Sequence, residues 1–252
     1  MTKRERIDKL VVDRGLADSR TKAQAMIMAG SVLVDEKRVA KPSELYAPDA
    51  NIRIKGDGAE TRYVGRGGLK LEAALDHFNI RPDGYVCIDV GSSTGGFTDC
   101  LLKHGAAKVT AVDSGTNQLV WILRNDGRVD VRENTNARNL TLADIEERFD
   151  LAVMDVSFIS VTKLLPVLIP LLKESGNIIT LIKPQFEVGK GEVGKGGIVR
   201  EPEKHERVVT EINAFARSIG LHCAGVIESP ILGAEGNKEF LALYGKQPRS
   251  EK

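Results

Sequence analysis

Val86-Cys87-Ile88-Asp89-Val90-Gly91-Ser92-Ser93-Thr94-Gly95-Gly96-Phe97 decides how this chain reads. Residues 86–90 predict an apolar strand, a loop of small residues follows, and a helix is expected to open at about Phe97. Small residues let a ligand approach the backbone closely, and a helix N-terminus offers unpaired N–H groups. A second strand, Lys108-Val109-Thr110-Ala111-Val112, ends in Asp113, and an acid there can accept from both hydroxyls of a ribose. The pair implies a nucleoside-containing cofactor. Gly91, Gly95 and Gly96 depart from the Gly-x-Gly-x-x-Gly spacing of dinucleotide sites. That departure suits S-adenosylmethionine, which has no pyrophosphate to cradle. A tight turn in any α/β protein is the plain alternative.

Outward from this centre, strand and helix alternate. Strands are expected over 86–90, 108–112, 129–133, 151–155, 177–182, 221–228 and 239–244, and helices over 67–78, 97–104, 117–125, 161–173 and 202–219. Such alternation predicts an α/β, Rossmann-like fold, a mostly parallel seven-stranded sheet with helices on both faces. The last two strands have a short connection without a helix, so they are expected to pair antiparallel at one edge. A smaller α+β region precedes them. Ile7, Leu10 and Val11 give helical spacing between Arg4 and Arg14, and Ser19 can cap a second helix through Met28, closed by Gly30. Short strands fit 32–34 and 52–54, with a turn at 35–38. Glycines 56 and 58 with polar neighbours read as a linker. The expected domains are 1–58 and 67–246, joined by 59–66.

The 252 residues are 42% apolar and 28% charged, the balance of a soluble globular protein. The net charge of +1 advertises no polyanion partner, but residues 1–62 carry +3 and the remainder −2. Cys87, Cys100 and Cys223 form no C-x-x-C pair and read as buried thiols of a reducing compartment, and no metal site is expected. The densest apolar run, 164–172, contains Pro166 and Pro170 and falls far below the ~20 residues of a membrane span. The charged first residues are unlike a signal-peptide core. A cytoplasmic protein without stable membrane insertion is expected.

The strand ends of open α/β sheets bind ligands. Asp155 ends one strand, Lys183 follows another, and Glu239 opens the reversed last strand at the same sheet edge; Lys70 lies on the helix before the first strand. These four ionisable groups are expected to meet beside a methyl donor.

At these residues the chain resembles the hemolysin-A-type ribosomal RNA methyltransferases, over nearly its whole length. Arg6-Ile7-Asp8-Lys9-Leu10, Ser19-Arg20-Thr21-Lys22-Ala23 and Ala29-Gly30-Ser31-Val32-Leu33-Val34-Asp35 look like the family's N-terminal S-four-type RNA-binding domain. Five segments look like the motifs of its FtsJ-like catalytic domain, a 2′-O-methyltransferase. They are Gly65-Arg66-Gly67-Gly68-Leu69-Lys70-Leu71, the 89–97 loop, Met154-Asp155-Val156-Ser157-Phe158, Ile182-Lys183-Pro184-Gln185-Phe186 and Gly236-Asn237-Lys238-Glu239-Phe240. The chain carries Gly65 where the family more often has serine, which leaves the chemistry untouched. The resemblance implies a catalytic tetrad of Lys70, Asp155, Lys183 and Glu239, with S-adenosyl-L-methionine as cofactor. It also implies a cytidine target in large-subunit RNA, with small-subunit RNA as a second substrate.

Methyl transfer to a ribose 2′-hydroxyl is an in-line displacement in which the alcohol loses its proton, so placement does much of the work. Lys183 is the expected contact to the hydroxyl. It acts either as a base, when its amine is neutral, or as a cation that stabilises the developing alkoxide. Asp155 and Glu239 would orient the lysines. Gly91, Ser93, Gly95, Gly96 and Phe97 are expected to shape the methionine and ribose pocket. Asp89 would orient the loop or meet the methionine ammonium, Asp113 would bind the ribose, and Asn136 with Arg138 would flank adenine. Trp121, at helical spacing, reads as core. Arg4, Arg6, Lys9, Arg20 and Lys22, with Arg66 beyond the linker, are the expected RNA contacts. The glycine-dense segment 189–197 reads as a mobile loop closing over RNA with Lys190 and Lys195, or as a plain connector. The expected partner is ribosomal RNA or a ribosomal subunit and not DNA, because the chemistry needs a 2′-hydroxyl. Oligomeric state is not legible. An RNA-binding assembly factor without catalysis, a membrane-active lysin and a pseudouridine synthase stand as alternatives; the last leaves the 89–97 loop unexplained.

Overall fold

The computed structural model describes residues 4–28, 30–35, 37–54, 62–189 and 191–246. The chain divides into two compact units, one of residues up to 61 with the turn 234–236, the other of the remainder. The linker expected at 59–66 lies partly outside the described residues, which resume at Arg62.

The first unit runs β1 (Glu5–Arg6), α1 (Ile7–Asp13), α2 (Arg20–Met28), β2 (Val32–Val34), β3 (Lys37–Arg38), β4 (Leu45–Tyr46) and β5 (Ile52–Ile54). Its first helix starts later than the apolar spacing suggests, because Glu5 and Arg6 pair antiparallel with Tyr46 and Leu45. The Ser19 hydroxyl accepts the Lys22 N–H at 3.2 Å and starts α2 as expected. The expected turn at 35–38 is tighter, and Lys37–Arg38 return along β2 as a third strand of the β3-β2-β5 sheet. Ile7, Leu10 and Val11 of α1 and Ala23 and Ile27 of α2 close over Val32, Val34, Ile52 and Ile54.

The second unit runs α3 (Gly67–His77), β6 (Val86–Val90), α4 (Gly96–Lys103), β7 (Lys108–Val112), α5 (Trp121–Arg124), β8 (Val129–Arg132), α6 (Leu142–Ile145), β9 (Phe149–Met154), α7 (Leu165–Leu168), β10 (Leu172–Ile182), α8 (Pro184–Glu187), α9 (Pro202–Ser218), β11 (Leu221–Glu228) and β12 (Phe240–Lys246). The seven-stranded sheet has the order β11-β12-β10-β9-β6-β7-β8. It is parallel from β10 to β8, and β12 runs antiparallel to both of its neighbours. Side chains alternate between two cores, as a sheet covered on both faces requires. Ile88, Ala152 and Met154 pack with Leu165, Val208 and Ile212 on one face. Cys87, Leu151 and Val153 pack with Leu71, Leu75 and Leu101 on the other.

Two expected helices shrink for identifiable reasons. The helix expected over 161–173 breaks into the 3-10 turn Val161–Lys163, α7, and the 3-10 turn Ile169–Leu171. Pro166 and Pro170 each lack the N–H that a continuous helix would use. The helix expected over 117–125 keeps only α5, since Asn117 has a left-handed φ of +55°. The Glu133 carboxylate takes the N–H groups of Asn117, Gln118 and Leu119 instead. This corrects the reading of Trp121. Leu119, just before the short helix, and Leu123 within it are buried, while Trp121 is 76% exposed.

Candidate active site

The loop between β6 and α4 is held by its own backbone geometry. Gly91 has φ +84°, and a Cβ there would overlap the Asp155 carbonyl oxygen, so the crossing of two chain segments demands glycine. The N–H groups of Gly91 and Ser92 donate to the Val112 carbonyl at 2.8 and 3.1 Å. Ser93, itself at φ +48°, donates its N–H to Asp113 Oδ2 at 2.8 Å, and Gly115 N–H donates to Oδ1 at 2.7 Å. Asp113 therefore ties the loop down, and each carboxylate oxygen keeps a lone pair for a further donor.

A cleft of about 640 Å³ opens at the ends of β6, β7 and β9, bordered by Gly91, Ser93, Asp113, Asn136, Arg138 and Asp155. Its size is that of a small-molecule site. A smaller pocket of about 150 Å³ lies between 65–67 and the loop, touching Arg66, Gly96, Phe97 and Asp155. Two expected cofactor residues border neither. Gly95 lies against Leu119 and Leu123, where it permits close packing. Asp89 is buried beneath the loop, where its Oδ2 accepts from Thr98 Oγ1 at 2.6 Å and its Oδ1 has no hydrogen-bond partner among the described residues. Burial pushes its carboxyl up to about 7; the Thr98 hydrogen bond opposes this, and the Asp155 charge adds to it. An orphaned buried acceptor below a glycine loop, and a carboxylate at the end of the next strand, fit a ligand carrying an ammonium and ribose hydroxyls.

Sheet register explains how distant tetrad residues meet. Ile182 pairs with Phe240, so Lys183, just past β10, and Glu239, just before β12, stand at adjacent strand ends. Thr180 pairs with Met154, and Asp155 follows. The tetrad forms two ion pairs. Lys70 Nζ lies 2.5 Å from Glu239 Oε2, with side chains only 6% and 2% exposed. Lys183 Nζ lies 2.6 Å from Asp155 Oδ1, with 12% and 23% exposed, and it donates to Ser157 Oγ at 2.9 Å. Asp155 borders both cavities. A Cβ at Gly233 would overlap the Glu239 carboxylate, so that glycine makes room for the buried pair.

Ser157 and Phe158 were missed as site residues, although both stand in the 154–158 motif. Phe158 has φ +64° and is 91% exposed at the cleft rim, where its ring centroid lies 4.9 Å from that of Phe186. A large exposed apolar ring on a left-handed backbone is not a packing residue. Only the surface position shows this, since phenylalanine in a sequence reads as core. The glycine-dense segment is tied at both ends. Gly189 N–H and Arg207 hold Glu192, and Asn237 donates to the Gly197 carbonyl at 2.9 Å and accepts from Val199 N–H. Lys190 lies outside the described residues.

In the first unit, Arg4 is exposed, and Arg6 and Arg20 share the buried Asp8. Lys9 pairs with Glu5 and Asp13, and Lys22 with Asp18, so nearby carboxylates partly compensate these two lysines. Arg66 belongs to the second unit and borders its smaller pocket. Among the described residues, no group of three His, Cys, Asp or Glu could hold a metal ion.

Residues 63–246 match the family model of the FtsJ-like methyltransferases. The chain belongs to that family. Residues 5–52 match the S4 domain, so this FtsJ-like enzyme carries an RNA-binding module ahead of its methyltransferase unit. The 16S/23S rRNA (cytidine-2′-O)-methyltransferase TlyA of Mycobacterium tuberculosis is 45% identical over 240 residues, covering 95% of this chain and 89% of the relative. Hemolysin A of Brachyspira hyodysenteriae is 43% identical over 245 residues, covering 95% and 99%. A solved structure from Streptococcus thermophilus, named as a hemolysin, superposes with a TM-score of 0.76 at 44% identity and covers 98% of this FtsJ-like chain and 90% of its own.

Proposed function

We propose that this FtsJ-like methyltransferase transfers a methyl group from S-adenosylmethionine to a ribose 2′-hydroxyl of ribosomal RNA. The target is a cytidine of large-subunit RNA, with small-subunit RNA as a second substrate. The observation that carries the reading is the partly open Lys183–Asp155 pair, whose Asp155 borders the cleft that Asp113 also lines. The relative from Mycobacterium tuberculosis, named for cytidine-2′-O methylation of both rRNAs, supports the substrate.

The cofactor supplies an electrophilic methyl group. Asp113 holds the ribose end through the carboxylate that already fixes the loop, Asn136 and Arg138 flank the base end, and Gly91 and Ser93 line the passage between. Asp89, under the loop, supplies negative charge toward the ammonium end. Lys183 Nζ holds the substrate hydroxyl and offsets the charge that develops on oxygen as its proton passes to solvent water, with Asp155 and Ser157 aiming the amine. Lys70 and Glu239, buried together, brace the site. Phe158 offers an exposed ring on which the target base can stack. The S4 unit, 1–58, grips RNA through Arg4, Arg6 and Arg20, and the catalytic unit is 67–246.

Ribosomal RNA as substrate makes the cytoplasm the place of action. The name hemolysin among the relatives has no counterpart in a membrane span: no helix among the described residues is long and apolar enough to cross a bilayer. Calorimetry tests the cofactor. Binding of S-adenosylmethionine that weakens in Asp113→Ala supports the reading; binding of NAD alone overturns it.

A further inference from the structure

We propose that Asp8 is a positioning residue for RNA recognition, a buried carboxylate that clamps Arg6 and Arg20 into one preformed phosphate-binding fork. This rests on the reading that the S4 unit binds ribosomal RNA. Asp8 is fully buried, although it lies in the first turn of a surface helix. Arg6 donates Nε to Oδ1 at 3.0 Å and Nη2 to Oδ2 at 2.9 Å. Arg20 donates Nε to Oδ2 at 3.0 Å and Nη2 to Oδ1 at 3.4 Å. Gln24, one turn along α2, donates Nε2 to Oδ2 at 2.9 Å. One carboxylate thus joins β1, α1 and α2.

The geometry shows what this junction is for. Each arginine spends its Nε–Nη2 edge on Asp8, and among the described residues no hydrogen bond engages either Nη1. The side chains stay 42% and 57% exposed. Two guanidinium groups repel one another in solution; the single negative charge between them holds both close and leaves net positive charge facing outward. Hydrogen bonds from Arg6, above all, hold the Asp8 carboxyl well below the usual range, against its burial. Planar forks fixed before binding lose less entropy when they meet a phosphodiester. Lys9 and Lys22, by contrast, each pair with a carboxylate four residues earlier in the chain, Glu5 and Asp18, neither of them buried.

Positioning and simple electrostatics predict opposite signs. Asp8→Asn adds one unit of net positive charge to the basic unit, so electrostatics alone predicts tighter RNA binding and a steeper salt dependence. Positioning predicts weaker binding, by about tenfold, and a shallower salt slope, because fewer phosphates are neutralised. Filter binding of the full chain to naked large-subunit rRNA across a salt series measures both, with thermal unfolding to confirm that each variant folds. In the Arg6→Ala/Arg20→Ala background, Asp8→Asn should cost nothing further. Arg6→Lys/Arg20→Lys keeps the charge, loses the fork, and should also bind weakly. If the alanine pair weakens binding while Asp8→Asn does not, the clamp is overturned and RNA binding stands. If the alanine pair binds normally, this face does not touch RNA. Should Asp8→Asn not fold, wild-type affinity in the lysine pair overturns the fork. An effect confined to intact subunits and absent with naked rRNA overturns phosphate as the ligand, in favour of a ribosomal protein.

Discussion

Two lysine–carboxylate pairs, similar in length, stand at the same sheet edge in different surroundings. Lys70–Glu239 is sealed, while Lys183–Asp155 is partly open and reaches a serine hydroxyl besides its partner. Chemistry on an incoming hydroxyl needs a group the substrate can touch, which is why the proposed reaction is assigned to the open pair. The sealed pair can act only through its neighbours, and its energetics follow a different rule. A buried pair adds little net stability over apolar packing, yet breaking it strands a charge. A four-residue motif thus contains two kinds of residue that motif matching treats alike.

The largest expected effect breaks the open pair. Lys183→Ala should lower methyl transfer by roughly 10²- to 10⁴-fold with cofactor affinity nearly unchanged, as single-turnover kinetics and calorimetry would measure. Near-normal turnover of the folded variant would remove Lys183 from the chemistry. The sealed pair should respond in stability first. Glu239→Ala leaves Lys70 uncompensated and should cost about 3–5 kcal/mol in denaturant unfolding, whereas Lys70→Met with Glu239→Leu together should come out near neutral. A double variant as unstable as the single one would contradict the distinction.

Asp89 sharpens the comparison, being a buried carboxylate with no lysine. Its acid form is favoured on folding, since its value is raised from 3.8 to about 7. The stability it contributes is therefore complete below pH about 4 and lost as pH rises through about 7. Thermal melts of the ligand-free protein should show this decline, and Asp89→Asn should flatten it. An unchanged pH profile in the variant would place the titration elsewhere. Asp113→Ala removes two backbone contacts to the loop region and should weaken S-adenosylmethionine by roughly 10- to 100-fold. Phe158→Ala, on the rim, should cost about 1–3 kcal/mol in RNA binding if its ring stacks on a base, while leaving cofactor affinity intact. Equal RNA affinity would reduce it to a surface residue.

Three strands were legible with their observed bounds, 86–90, 108–112 and 221–228. Glu5–Arg6 was not, because a two-residue strand is defined by its partner Leu45–Tyr46 rather than by its own pattern. The helix over 161–173 was overread because apolar spacing outweighed Pro166 and Pro170. Trp121 was misplaced because helical spacing does not say where the helix begins, and Glu133, just past the end of β8, decides that. The pairing of Lys70 with Glu239 and of Lys183 with Asp155 was legible through resemblance and strand ends. Their division into a sealed and an open pair depends on register between β10 and β12 and on the room left by Gly233, neither of which a linear motif encodes.

The central claim is tested most directly by mapping the product. Large-subunit rRNA lacking the modification would be incubated with the purified protein and S-adenosylmethionine, then digested and sequenced by mass spectrometry. The account predicts a methyl group on the ribose 2′-oxygen of a cytidine, lost with Lys183→Ala. A methyl group on a base, or no methyl transfer by folded protein that binds the cofactor and the RNA, would contradict it.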